Sequence, residues 1–422
     1  CDFMQNVSSS NSQAVNVPKL RFPGFTDEWS SSSFSETFHF LSNNTLSRAE
    51  LTCSGEVQNI HYGDILTKFG DVVDCSKEEI PFVADKSKLG KKISYLQNGD
   101  IIIADTAEDD AVGKATEILN IQTPVVSGLH TMACRPQFEF EPRFLGYYIN
   151  SACYHNQLYP FMQGVKVTSV SKGNIALTEI HYPANDEQHK IASMLALIDA
   201  RIEKQRTLIE SLKLYKRGVI TAIFDRKFRF TKPDGTPFPE WSSVPFGDII
   251  IEYNDRTKTE NEDILLSAAI EGMFLNTELF GHQRGTSNIG YKKIKKGTLV
   301  LSTQNLHLGN ANVNLRFEHG MVSPAYKTYH IKGCSQELMY HWIKREEAKQ
   351  FFFNATTVGA SACRRNVEWE TLYSQVIELP SIEEEVLIVR FLNSIDNSCI
   401  QQETLLTQLL ALKKTLLQQM FI

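Results

Sequence analysis

Membrane-spanning and cysteine-based signals are missing from this sequence of 422 residues. No run of apolar residues approaches the roughly eighteen that a transmembrane helix needs, so we expect a soluble protein. The eight cysteines are scattered and none has Cys-x-x-Cys spacing, which argues against a zinc site and against a disulfide scaffold. Such cysteine usage is typical of a reducing cytoplasm, where we expect the protein to lie.

Catalytic signatures are missing as well. The chain has no glycine-rich dinucleotide or phosphate loop, no HExxH metal motif and no GxSxG nucleophile turn. It also lacks the Asn/Asp-Pro-Pro-aromatic motif with which amino-methyltransferases hold a flipped adenine. We therefore predict no catalytic residue, no cofactor and no metal, and we expect the chain not to be an enzyme by itself.

One acidic cluster needs a separate interpretation. Asp105, Glu108, Asp109 and Asp110 have a spacing that could hold Mg²⁺, as in a nuclease. The second half of the chain has no equivalent cluster, so we interpret these residues as a solvated loop and keep a stand-alone nuclease as an alternative.

The start of the chain imitates a mature bacterial lipoprotein, because Cys1 is followed by a polar stretch that runs to Asn16. We favour an incidental cysteine, since everything downstream points to the cytoplasm. Residues 1–16 are predicted to be a disordered tail.

The chain repeats itself. Residues 180–224 align without a gap on residues 377–421, at a constant offset of 197. The starts of the two halves correspond too, since residues 19–22 and 227–230 resemble each other and each precedes a tryptophan. Between these landmarks the halves diverge. Such repeated framing indicates one scaffold used twice to present two different surfaces.

The repeated segments are predicted to be long helices. Each begins with a capping-box pattern, and its apolar positions then alternate in steps of four and three for nearly five heptads. A helix of about 37 residues would be about 55 Å long. Gln205 and Gln402 interrupt this seam near its middle, as Lys216 and Lys413 do later. In an antiparallel pair the two glutamines would meet as a register-fixing polar layer, or else both would face solvent.

The predicted fold class is α+β. We expect two α/β recognition domains joined by two long antiparallel helices, a coiled-coil spacer with a pseudo-twofold internal repeat. The predicted boundaries are residues 17–180 for the first domain, 181–228 for the first helix, 229–377 for the second domain and 378–422 for the second helix.

The net charge of −6 does not exclude nucleic acid, because a basic face on an acidic protein still attracts phosphate. Residues 201–232 carry ten Lys and Arg against three acids. This stretch is either a solvated helix face or a surface that lies near DNA phosphates or an acidic partner. The recognition domains carry further basic clusters, whose candidate DNA-binding residues are Lys86, Lys88, Lys91, Lys92, Lys166, Lys172, Arg284, Lys292, Lys293, Lys295, Lys296, Arg364 and Arg365. Base edges favour amides and arginines, so the candidate base-reading residues are Gln304, Asn305, Asn310 and Asn312. For each of these an ordinary solvated side chain is the alternative.

Three segments carry a resemblance to a known family. Residues 17–29, the segment 183–192 and the helix end at 215–224 resemble specificity subunits of bacterial type I restriction–modification systems. The likeness covers nearly the whole chain, with both halves in order. The second half departs from the pattern at residues 236–241 and at the start of its long helix.

The resemblance implies a specificity subunit without catalytic residues. Each target-recognition domain would read one half of a split site in double-stranded DNA, and the helices would set the gap. Two methylation subunits that bind S-adenosylmethionine would dock on the helices, and restriction subunits with ATP-driven motors would complete the complex. A non-catalytic coiled-coil adaptor that binds protein or carbohydrate is the alternative, which a salt-dependent affinity for DNA would exclude.

Overall fold

The structure is a computed structural model that describes residues 5–6, 16–108, 111–164, 167–281, 287–361 and 364–422. It divides into two compact units. Unit 1 comprises residues 1–206 together with 404–422, and unit 2 comprises residues 207–403. In the described part of the chain, no helix is long and apolar enough to cross a membrane.

Unit 1 contains fifteen short strands among its described residues. These strands are β1 (Gln5–Asn6), β2 (Leu20–Arg21), β3 (Ser30–Ser33), β4 (Phe38–Phe40), β5 (Leu51–Thr52), β6 (Gln58–Ile60), β7 (Val72–Asp74), β8 (Phe82–Val83), β9 (Ile101–Ala104), β10 (Thr106–Ala107), β11 (Ala115–Leu119), β12 (Val125–Ser127), β13 (Thr131–Pro136), β14 (Thr168–Ser169) and β15 (Glu179–Tyr182). The helices that begin in this unit are α1 (Phe34–Thr37), α2 (Tyr62–Thr67), α3 (Phe144–Ile149), α4 (Ala152–His155), α5 (Lys172–Ile175) and α6 (Asn185–Phe224).

A five-stranded sheet forms the centre of unit 1, in the order β4-β13-β9-β11-β7. Its pairs are antiparallel except β7 with β11. Every residue of β9 is buried, and its side chains alternate between two hydrophobic clusters because successive residues of a strand point to opposite faces. Ile101 and Ile103 pack in the cluster that includes residues of the long helices, whereas Ile102 and Ala104 pack in the cluster that includes α2.

Unit 2 has the same kind of architecture. Its strands are β16 (Ser242–Pro245), β17 (Ile250–Tyr253), β18 (Leu266–Ala268), β19 (Met273–Leu275), β20 (Lys292–Lys295), β21 (Leu299–Ser302), β22 (Ala311–Val313), β23 (His319–Val322), β24 (Tyr326–Ile331), β25 (Thr356–Ser361), β26 (Arg364–Val367) and β27 (Val376–Leu379). Its helices, the last of which continues into unit 1, are α7 (Asn276–Phe280), α8 (Gln336–Ile343), α9 (Glu346–Asn354), α10 (Trp369–Ser374) and α11 (Ile382–Gln419).

The central strand of unit 2 is β21, in a sheet of order β17-β24-β21-β22. Leu299 and Leu301 pack in the cluster that includes residues of the long helices, and Val300 packs on the opposite face. Strand β21 therefore occupies in unit 2 the place that β9 occupies in unit 1. The sequence turn before each strand, at Gly99 and at Gly297, has a positive φ that favours glycine.

Parts of α6 and α11 run antiparallel within each unit. In unit 1, Ile191 and Leu195 share a core cluster with Met420, while Lys413 contacts Asp199 farther along α6. The contacts thus proceed in opposite directions along the two chain segments. In unit 2 the same reversed order joins Ile223 with Ile388 and Lys216 with Asp396. The predicted α+β class, with its long antiparallel helices, is confirmed.

Each unit contains a tryptophan–phenylalanine pair at the end of a long helix. In unit 1 the ring centroids of Trp29 and Phe421 are 6.3 Å apart in a T-shaped arrangement. In unit 2 the ring centroids of Trp241 and Phe224 are 5.9 Å apart, again T-shaped. All four side chains are buried, so the repeat detected in the sequence is also a repeat of packing.

Candidate nucleic-acid interface

The end of the central strand of unit 1 carries a polar turn. The N–H of Asp105, directly after β9, donates to the carbonyl of His130 at 3.2 Å. The carbonyl of Asp105 in turn accepts from the N–H of Val170 at 3.0 Å, which holds the segment between β14 and α5 against this turn. Residues 105–107, 128–131 and 168–170 therefore converge at one end of the sheet.

The corresponding end of unit 2 has the same backbone contact with different side chains. The N–H of Thr303, directly after β21, donates to the carbonyl of Ala325 at 3.1 Å. Gln304 and Asn305 follow at once, and both side chains are exposed. The hydroxyl of Ser302 accepts from their backbone N–H groups at 3.3 and 3.0 Å, which fixes this turn. The two predicted base-reading amides thus lie where unit 1 has Thr106 and Ala107, directly after Asp105.

The other two base-reading candidates, Asn310 and Asn312, are buried inside unit 2. The side-chain amide of Asn310 donates to the carbonyl of Ala268 at 3.2 Å. That of Asn312 donates to the carbonyl of Ala269 at 2.8 Å, and its oxygen accepts from Lys344 at 2.7 Å. Burial lowers the pKa of Lys344 to about 8. The two asparagines hold the fold together, so their amides are occupied away from any base.

The lysines of the first basic cluster fall into two groups. Lys86 and Lys88 are exposed but form ion pairs, with Glu56 at 3.0 Å and Glu50 at 2.9 Å. The hydrogen bond from Lys88, with those from Ser47, lowers the pKa of Glu50 to about 2. The second group is exposed without an ion pair to any described residue and comprises Lys91, Lys92 and Lys172. Lys166 lies outside the described residues.

The basic cluster of unit 2 is more heterogeneous than its sequence indicates. Lys292 is buried, and this burial lowers its pKa. Lys293 and Lys296 form ion pairs with Glu262 and Glu318, at 2.9 and 2.7 Å. Lys295 remains exposed without an ion pair among the described side chains.

The arginines of this cluster are described in part. Arg365 donates to the hydroxyl and the carbonyl of Thr356, at 2.7 and 2.8 Å, and its guanidinium lies 4.2 Å from the ring centroid of Phe353. It therefore ties β26 to β25. Arg284 and the side chain of Arg364 lie outside what the structure describes.

The acidic residues considered for Mg²⁺ do not form a metal cluster in the described part of the chain, where no group of three or more potential ligands occurs. The carboxylate of Asp105 is instead 3.3 Å from Nδ1 of His130. Asp109 and Asp110 lie outside the described residues.

The basic stretch at 201–232 is mostly neutralised by ion pairs. Six of its cations pair with acids, four of them with acids of α11 or of β27, the strand before it: Arg206 with Glu203, Lys213 with Glu403, Lys216 with Asp396, Arg226 with Glu378, Lys227 with Asp225 and Arg229 with Glu384. Much of this positive charge therefore stabilises unit 2.

Comparisons with known proteins agree with this architecture. The family model described as type I restriction modification DNA specificity domain matches residues 26–214. The resemblance noted in the sequence is therefore confirmed.

Curated specificity subunits resemble the chain beyond this domain. The EcoKI specificity subunit of Escherichia coli (strain K12) is 20% identical over 324 residues, which are 72% of this chain and 68% of that protein. The StySPI specificity subunit of Salmonella potsdam is 21% identical over 169 residues, 39% of this chain. That match spans 36% of the length of the StySPI subunit.

Solved structures share the fold of the whole chain. The S subunit of a type I restriction–modification system from M. genitalium has a TM-score of 0.51 and 13% identity, over 96% of this chain and 99% of that one. A chain from a study of complex assembly and conformational transition of the type I R-M system has a TM-score of 0.55 and 16% identity, over 92% of this chain and 96% of that one.

Strand β2 is fixed to the start of α6 by an ion pair that was not predicted from the sequence. Arg21 and Glu187 are both buried, and the guanidinium donates to the two carboxylate oxygens at 2.7 Å. In unit 2, Arg229 donates to Glu384 at 3.1 and 2.9 Å. Glu187 and Glu384 are 197 residues apart, so the offset of the repeat could have revealed them.

The two predicted register residues differ in their burial. Gln205 is buried, with 3% of its surface exposed, and Gln402 is half-buried. Their facing one another remains a prediction. The lysines that interrupt the same seam have acidic partners. Lys413 pairs with Asp71 and Asp199 in unit 1. Lys216 pairs with Asp396 in unit 2.

Proposed function

We propose that this chain is the DNA sequence-specificity subunit of a type I restriction–modification complex, without catalytic residues of its own. Each unit reads one half of a bipartite site in double-stranded DNA. The long helices set the unread gap between the halves. The observation that carries this proposal is that equivalent turns after β9 and β21 share a backbone contact but display different side chains.

A shared scaffold with divergent tips suits recognition of two different half-sites. Hydrogen-bonding side chains at the tips can meet base edges, which carry the sequence information. Exposed lysines without acidic partners, such as Lys91, Lys92 and Lys295, can meet phosphates, which give affinity and position. The net charge of −6 is compatible with this division, because the local field along the DNA path matters more than the sum.

The long helices suit a spacer that also binds partners. With 40 residues, α6 is about 60 Å long, which exceeds one turn of DNA at about 34 Å. Several large apolar side chains on the two helices remain exposed: Leu197, Leu214, Tyr215, Ile382 and Ile400. Exposed apolar surface of this kind is typical of protein interfaces. Methylation subunits that bind S-adenosylmethionine would dock here, and restriction subunits with an ATPase motor would join them.

The test is co-expression of the chain with the methylation subunit of the same operon in a host without adenine methylation, followed by sequencing of N6-methyladenine. We expect one bipartite motif with a fixed gap. Replacement of residues 229–377 by the corresponding domain of another specificity subunit should change one half of the motif and leave the other half and the gap intact.

Two outcomes would contradict the proposal. A soluble complex that gives no methylation motif would show that the chain directs no sequence recognition. Failure to form a complex, together with an affinity for DNA that does not depend on salt concentration, would favour the adaptor that binds protein or carbohydrate.

A further inference from the structure

The turn that carries His130 in unit 1 is held in an unusual backbone conformation. His130 has a φ of +53°, in the left-handed region that residues other than glycine seldom adopt. The turn is fixed on both sides, since the hydroxyl of Thr131 donates to the carbonyl of Gly128 at 2.6 Å. A Cβ on Gly128 would lie 2.6 Å from the side chain of Asn59, so this turn has little freedom to relax. Strained positions that packing maintains in this way are concentrated at functional sites.

The imidazole of His130 is oriented from one side. Its Nδ1 lies 3.3 Å from the carboxylate of Asp105 and 3.5 Å from the hydroxyl of Thr106. That hydroxyl donates to the same carboxylate at 2.7 Å. The ring also meets Tyr62 edge to face, with the centroids 5.3 Å apart. These contacts fix the direction of the ring while 48% of the side chain remains exposed.

The opposite nitrogen of the ring, Nε2, has no hydrogen-bond partner among the described residues. A carboxylate at Nδ1 favours the tautomer that carries its proton there. Nε2 is then an oriented acceptor at the tip of the unit. A fixed acceptor on a rigid turn is suited to an amino group at a base edge, which adenine and cytosine present in the major groove.

Unit 2 lacks this arrangement at the equivalent place. The backbone hydrogen bond from Asp105 to His130 corresponds to the one from Thr303 to Ala325. Neither Thr303 nor Ala325 can provide an oriented imidazole, so the His130–Asp105 pair distinguishes unit 1 on the shared scaffold. Two units that read different half-sites require such a difference at their tips.

We propose that His130 is a specificity-determining residue of unit 1, whose Nε2 accepts a hydrogen bond from the amino group of adenine or cytosine at one position of the half-site. Asp105 is a positioning residue that acts through the ring. This inference rests on the proposed function, because it assigns a base contact to a unit that is proposed to read DNA.

The test compares methylation motifs made by complexes that contain wild-type chain, His130→Gly or His130→Asn. Glycine removes the ring and tolerates the positive φ, and asparagine also adopts this backbone region readily. We expect both variants to lose discrimination at one and the same base position, by about fivefold or more, which is the size of a single base contact. The other half of the motif and the gap should not change.

His189→Ala is the matched control. His189 is also exposed and also has its Nδ1 on a carboxylate, that of Glu141 at 2.8 Å, but it lies on α6. Its removal should leave every position of the motif unchanged. Asp105→Asn should alter the same base position of the motif as the His130 variants without lowering the melting temperature. If Asp105→Asn alters no base position, the positioning role of Asp105 is refuted.

The possible outcomes separate the two proposals. If the wild-type complex gives no bipartite motif, the proposed function fails. If the wild-type complex gives the motif and both His130 variants reproduce it with unchanged base frequencies, the function stands and the base contact is refuted.

Discussion

Phe421 connects the end of the long helix α11 to the core of unit 1, and its replacement by alanine should destabilise that unit selectively. Its ring centroid lies 5.8 Å from those of Phe144 and Tyr148 and 6.3 Å from that of Trp29. Replacement of a buried phenylalanine by alanine costs about 3–5 kcal/mol. Because Phe421 lies just beyond the end of α11, its neighbours can partly fill the cavity, so we expect a loss of about 3 kcal/mol.

Hydrogen exchange followed by mass spectrometry is the appropriate assay, since two units need not unfold together. A loss of about 3 kcal/mol should accelerate exchange of the most protected amides of β9 about 150-fold. The amides of β21 in unit 2 should retain their rate. Phe224→Ala should give the reverse pattern, because Phe224 packs on Trp241 in unit 2.

The control for the first variant is Leu412→Ala on the same part of α11. This side chain is 46% exposed, and such substitutions usually change stability by less than about 0.5 kcal/mol. The reasoning would be refuted if Phe421→Ala accelerated the exchange of β9 no more than Leu412→Ala, or if it accelerated β9 and β21 equally.

Three further predictions follow from charged groups. Arg21→Ala should destabilise unit 1 by about 3–5 kcal/mol, because it leaves the buried carboxylate of Glu187 without its cation; denaturant unfolding with Glu187→Gln added should recover part of the loss. Lys92→Ala should lower the slope of log affinity for DNA against log salt concentration by the amount expected for about one phosphate contact. Lys88→Ala removes a lysine that is already ion-paired, so it should change this slope less, and equal slopes for the two variants would contradict the prediction. Burial holds the pKa of His341 well below its ordinary value of 6.5. Because the unfolded chain then binds a proton that the folded chain does not, unit 2 should lose stability as the pH falls from 6.5 through the lowered pKa. Measured by thermal unfolding between about pH 7 and 4, this dependence should be flatter in His341→Leu.

The sequence predicted the features that depend on local periodicity. The four-and-three spacing and the offset of 197 were sufficient for α6, for α11 and for their repeated framing. Lys216 and Lys413 broke that spacing, and no sequence pattern explained why. Each pairs with the aspartate on the other helix, and Asp199 and Asp396 are themselves related by the repeat. An interruption that recurs at the same offset is thus a signal for a cross-helix partner.

The candidate interface was harder to predict, because charge density does not reveal pairing. Lys88 and Lys92 look alike in the sequence, yet Glu50, which neutralises Lys88, lies 38 residues away along the chain. His130 gave no signal at all. Its importance depends on a positive φ and on a carboxylate 25 residues distant, and neither is visible in a linear pattern.

The assembly of unit 1 from two separate chain segments has a consequence for biosynthesis. Unit 2 is one continuous segment, residues 207–403, whereas unit 1 includes residues 404–422, which supply Leu416, Met420 and Phe421 to its core. A ribosome therefore delivers every residue of unit 2 before it delivers the last core residues of unit 1. The unit that is synthesised first is completed last, and until then its nascent core exposes apolar surface that a chaperone can recognise. Messages that terminate early would yield chains in which the first recognition unit is the one left unfinished.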